Sequence, residues 1–109
     1  MITKICTDID QSKKLAEILS LKSADGYWFK GFPSQPYMVY TKGTPNPGEH
    51  IPCWSLAALF NIIESKCSYF ELIHLKTYRL SAEIDDVYGD ELIDVLYEMI
   101  LKLHERKLL

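Results

Sequence analysis

The strongest constraint on this chain lies near its end. Leu92, Leu96, Met99 and Leu103 recur at i, i+4, i+7 and i+11, and Ile93 and Ile100 widen the stripe. That spacing predicts an amphipathic helix from about Asp90 to Lys107 with an apolar face too broad to leave in water. Such a face has to be covered by a sheet or by other helices, so the chain must fold in packed layers. With 109 residues, 48% hydrophobic and 25% charged, one domain with a modest core is expected.

Two more helices are readable. After Asp8-Ile9-Asp10-Gln11-Ser12, residues Leu15, Ile18 and Leu19 share one face while Lys13, Lys14, Glu17 and Lys22 fall largely elsewhere. Asp8 or Asp10 can cap its first turn, and Ser23-Ala24-Asp25-Gly26 reads as its stop, with Gly26 free to take positive φ. A second helix is predicted from about Ser55 to Glu64, with Leu56, Leu59, Phe60 and Ile63 on one face.

Between these helices the character changes. Residues 27–41, YWFKGFPSQPYMVYT, are aromatic and β-branched but broken by Gly31, Pro33 and Pro36. Two short strands fit, with the prolines confined to edges or bends. Residues 42–52 read as a loop on their three prolines and two glycines. Residues 69–75 and 78–84 can be read at period 2 or period 3.6; their Tyr, Phe and Ile content and the break at Lys76-Thr77 favour a β-hairpin. The expected architecture is α+β: three amphipathic helices with a small antiparallel sheet of two short strand pairs.

The stretch His50-Ile51-Pro52-Cys53-Trp54-Ser55 crowds chemistry against a helix start. A thiol there can have a lowered pKa, which makes a thiol enzyme at Cys53 one reading. The base it would need is His50, three residues away in a proline-bearing loop, or the remote His74 and His104, and no Asn or Asp is placed to orient them. His50, Cys53, Cys67 and His74 stand in a zinc-like order, but Cys53 and Cys67 flank the second helix. Its rise sets them roughly 20 Å apart, too far for one tetrahedral centre. The structural reading accounts for each residue: Pro52 ends the loop, Ser55 caps, and Trp54 with Leu59 makes a hydrophobic staple. Three cysteines without C-x-x-C spacing read as small buried apolar groups. No catalytic residue, metal ligand or cofactor is expected.

The segments SADGYW, IPCWSLAALFNII and YGDELIDVLYEMILKLHERKLL resemble a group of short proteins from gut Bacteroidetes and their phages or mobile elements. The resemblance covers about two thirds of the chain. It implies a compact α+β accessory protein of a mobile element; the group carries no assigned activity, so no site residues transfer.

Two surfaces stand out. From Gly26 to Gly48 there are six aromatics, two lysines (Lys30 and Lys42) and no acid. Tyr27, Trp28, Lys30, Tyr37 and Tyr40 are the candidate contact residues, for a protein partner or self-association or, less readily, for stacked single-stranded nucleic acid. The second surface is acidic: Glu83, Asp85, Asp86, Asp90, Glu91, Asp94 and Glu98 occur without an intervening Lys or Arg. It reads first as a solvated face with Asp90 as helix cap, and otherwise as a docking surface or a mimic of nucleic acid charge; no EF-hand order is present. A formal charge of −3 gives no general attraction to nucleic acid or membrane. No apolar run is long enough to span a bilayer, and the start lacks a secretory h-region, so a cytoplasmic setting is expected. The apolar stripe of the last helix, Leu101 and the closing Leu108-Leu109 leave a homodimer open. The expected activity is binding rather than catalysis.

Overall fold

The computed structural model describes residues 4–29, 32–38 and 50–109. Helix α1 runs Ile9–Ile18, β1 Gly26–Phe29, β2 Phe32–Met38, β3 His50–Cys53, α2 Leu56–Lys66, β4 Phe70–His74, β5 Tyr78–Ala82, β6 Asp86–Gly89 and α3 Leu92–Glu105. The fold is α+β. Among the described residues, two three-stranded antiparallel sheets stand in place of the two strand pairs expected from sequence, in the orders β2-β1-β3 and β4-β5-β6. The additional strands are β3, which occupies the end of the expected loop, and β6.

Proline placement explains the first sheet. Pro33 and Pro36 lie in β2 and Pro52 in β3, the two outer strands, while β1 between them carries none. An outer strand can do without an N–H facing solvent; a central one cannot. Gly26 is correspondingly the first residue of β1, paired with Met38 on one side and Cys53 on the other. The expectation of positive φ there is overturned, since no described glycine has one. Helix α1 had already ended at Ile18, and a 3-10 turn at Leu21–Ser23, capped by the Ser20 hydroxyl, supplies the stop.

Local capping follows the side-chain chemistry. Asp8 caps α1 in a reciprocal box: the Gln11 N–H donates to Asp8 Oδ1 at 2.8 Å and the Asp8 N–H to Gln11 Oε1 at 3.0 Å. Ser55 caps α2, its Oγ accepting from the Ala58 N–H at 3.3 Å. For α3 the cap residue is Glu91, without a side-chain capping bond, rather than Asp90. Its other end closes with Lys107 at φ 59°, the Leu108 N–H reaching Leu103 O at 2.9 Å and the Lys107 N–H reaching His104 O at 3.0 Å. That is the Schellman arrangement, normally built around glycine.

The predicted stripe of α3 is the centre of the core. Leu92, Ile93, Val95, Leu96, Met99, Ile100 and Leu103 are all buried. They meet Leu15, Trp54, Leu59 and Ile63, together with Tyr78, Leu80 and Val87 from the inner face of the second sheet. Helix α3 packs on α2 and across β5 and β6, and α1 packs on β3. Leu109 also packs against this core. Period-2 alternation therefore gives the second sheet one apolar face, and its other face is left outward.

Candidate interaction surface

The aromatic stretch is only partly a surface. Tyr27 and Trp28 lie half-buried in β1, and Tyr37 stands opposite Tyr27 in β2. The Trp28 indole N–H donates to the Thr7 carbonyl at 2.9 Å, which ties this ring to the segment before α1. Lys30, Tyr40 and Lys42 lie outside the described residues.

The segment before α1 is instead a polar hub. Thr7 is fully buried, and its backbone N–H donates to Trp54 O at 3.0 Å. Its Oγ1 accepts from the Trp54 N–H at 3.1 Å and lies 2.8 Å from Ser12 Oγ. The Trp54 indole N–H donates to Ser23 Oγ at 2.9 Å. Asp25 receives the Ser55 N–H at 2.8 Å and the Ser55 hydroxyl, so a carboxylate sits where the α2 dipole favours one. Trp54 and Leu59 are both fully buried in one core cluster, as the staple spacing requires.

Cys53 lies inside this hub. It is 0% exposed. Its thiol is pushed far above the ordinary value, first by its hydrogen bond to Cys6 and then by burial. Cys6, whose backbone pairs with that of Ser55, is the other partner of that bond. A nucleophilic cysteine needs the opposite environment, one that favours an accessible thiolate. All three cysteines are free and buried, and Cys67 caps the far end of α2. Among the described residues no group of three or more His, Cys, Asp or Glu side chains could hold a metal ion.

The acidic stretch is taken apart by the fold. Asp94 accepts from Lys4 Nζ and from Gln11 Nε2, each at 2.7 Å, and Glu91 Oε1 accepts from the Lys4 N–H at 2.7 Å. Asp85 pairs with Lys102 at 3.2 Å and Asp86 with Arg79 at 3.3 Å. Glu83 binds the Ser68 N–H and hydroxyl, which holds its carboxyl below the usual range. Asp90 and Glu98 remain exposed. The stretch is therefore chiefly an internal set of anchors rather than one acidic face.

The surface that sequence reasoning missed is the outward face of the second sheet. Register places Ile73 beside Arg79 and Arg79 beside Tyr88 in one row, and Glu71 beside Ser81 and Ser81 beside Asp86 in the next. The Arg79 guanidinium lies 5.8 Å from the Tyr88 ring centre and bonds Asp86 at the same time. Tyr69, just before β4, donates its hydroxyl to Glu71 at 2.9 Å. Tyr69 and Tyr88 are 57% and 64% exposed, and Leu75 in the hairpin turn is 84% exposed. The signal was present as alternation: Glu71, Ile73, Arg79 and Ser81 occupy every second position of the hairpin. It lacked meaning without β6, which brings in Asp86 and Tyr88. No family model, no curated protein and no solved structure matches the chain. Among the described residues, no helix is long and apolar enough to cross a membrane.

Proposed function

We propose that this chain works by binding a protein partner, and that the outward face of β4-β5-β6 is the contact surface. In that role it would serve as the accessory factor of a phage or mobile element that the resemblance implies. The observation that carries this reading is Arg79, held in place by Asp86 and by the face of Tyr88 on an otherwise open sheet. Tyrosine supplies large contact area at small entropic cost, Arg79 is already held in place, and both residue types are enriched among those that dominate the energetics of protein interfaces. The face also selects its partner's charge. Glu71 and Asp86 outnumber Arg79, so a basic side chain set among apolar ones is favoured, and a phosphate backbone is repelled.

The test is affinity capture from a host lysate, half of it nuclease-treated, with wild type and an Arg79→Ala/Tyr88→Ala double variant. A nuclease-resistant protein retained by wild type and lost by the variant is the expected result. Retention by both overturns the assignment of this face. Loss on nuclease treatment overturns the protein partner in favour of nucleic acid. Tyr27→Ala and Tyr37→Ala in the same experiment report on the first-sheet aromatics.

A further inference from the structure

Strand β4 is an outer strand of the second sheet, and among the described residues it pairs only with β5. Its sequence, Phe-Glu-Leu-Ile-His, has no proline, no lysine and no bulge in its pairing with β5, and Glu71 is the one charge that guards this edge. We infer that β4 pairs antiparallel with β4 of a second copy of this chain, giving a two-fold symmetric dimer with a continuous six-stranded sheet. The inference concerns the edge of the sheet and does not depend on what its face binds.

The occupant and the register follow from what lies on either side of the strand. A two-fold axis at Leu72 pairs Leu72 with itself, Phe70 with His74, and Glu71 with Ile73 of the second copy. Inward side chains then meet inward ones, as strand pairing requires. One residue further out, Tyr69 falls opposite Leu75 of the second copy. These are the two exposed apolar residues that flank β4, at 57% and 84% exposure, and a single operation covers both, twice. One step beyond, Lys76 falls opposite Ser68 of the second copy, whose N–H and hydroxyl are bound to Glu83. The lysine thus arrives beside a carboxylate. Neighbouring registers lose these matches. Moving the axis to Glu71 sets two glutamates directly opposite, which is destabilising. Moving it to Ile73 places Tyr69 against Thr77 and Leu75 against Glu71. The interface is isologous, as a two-fold requires, and it joins the two outward faces into one platform.

The test is the mass of the purified protein by sedimentation or light scattering over micromolar to millimolar concentration. A shift from 12.6 kDa towards about twice that mass is expected. Leu75→Lys alters an exposed turn residue, so the fold survives; it is expected to weaken the dimer more than tenfold, by placing a cation where two apolar side chains meet. Lys76→Glu removes two exposed ion pairs and is expected to weaken it about fivefold. Adding Glu83→Lys to Lys76→Glu restores opposite charges across the interface and is expected to recover most of that loss. A wild-type chain that stays monomeric throughout overturns the proposal, as does a dimer indifferent to Leu75→Lys. A charge swap without recovery overturns the register. None of these readouts requires the partner of the outward face, so the two readings fail separately.

Discussion

Replacing Thr7 with valine tests whether the polar hub holds the N-terminal segment to the middle of the chain. Valine keeps the β-branched shape, so the 0% exposed position stays filled and only the hydroxyl is removed. Two interactions go with it. The Trp54 N–H, which donates to Thr7 Oγ1 at 3.1 Å, is left buried without an acceptor, at a cost of about 1–3 kcal/mol. Ser12 Oγ loses its 2.8 Å partner but keeps the Thr7 carbonyl at 3.3 Å, so its share is below the ~1 kcal/mol of an ordinary hydrogen bond. The sum is about 1–4 kcal/mol, a fall in Tm on the order of 10 °C for a domain near 100 residues. Ser12→Ala leaves the Trp54 N–H satisfied and should cost only about 1 kcal/mol. Urea and thermal unfolding followed by circular dichroism measure both. A Thr7→Val loss under 0.5 kcal/mol, or a larger loss for Ser12→Ala, would refute the hub as described.

Gly89→Ala sets a Cβ 2.8 Å from Val95 Cγ2 at a buried, rigid side chain, and should cost about 1–3 kcal/mol in chemical denaturation; combined with Val95→Ala the loss should be smaller than the sum of the two. Lys107→Gly relieves a side chain at φ 59° and should raise stability by about 0.5–1 kcal/mol, read as a higher thermal midpoint with an unchanged spectrum. An alkylating reagent at pH 6 should modify neither Cys6 nor Cys53 in the native protein and all three cysteines in urea; rapid native labelling of Cys53 would contradict its buried, raised thiol. Glu83 titrates below its ordinary value of 4.5 because of its bonds to Ser68. Its stabilising contribution is therefore complete above that value and is lost as the pH falls through the depressed one. Glu83→Gln should flatten that part of the acid unfolding curve.

What the sequence disclosed depended on how local the cause was. The α3 stripe and the Ser55 cap rest on residues within a turn or two of each other, and both appear where expected. The hairpin Phe70–Ala82 was visible because its turn is three residues long. Strand β3 was hidden because Pro52 marks a loop unless the strand is known to be an outer one, and its neighbour β1 lies across residues 30–49. Strand β6 has four residues with one inward apolar side chain, Val87, too short for alternation to register. Its absence concealed the pairing of Tyr88 with Arg79. The Asp25–Ser55 and Lys4–Asp94 contacts span 30 and 90 residues, and nothing in either neighbourhood announces its distant partner.

The anchoring of Lys4 carries a consequence for synthesis. Its ammonium group and backbone N–H are held by Asp94 and Glu91, on or beside the last helix. A ribosome adding about 5–20 residues per second needs roughly 5–20 s to cover the 90 residues between Lys4 and Asp94. Through that interval Thr7 and α1 can already settle on Trp54 and β3, but Lys4 and the face of α2 that packs on α3 wait for the last helix. The closing of the core therefore waits on the synthesis of α3, the element that packs against both α2 and the second sheet.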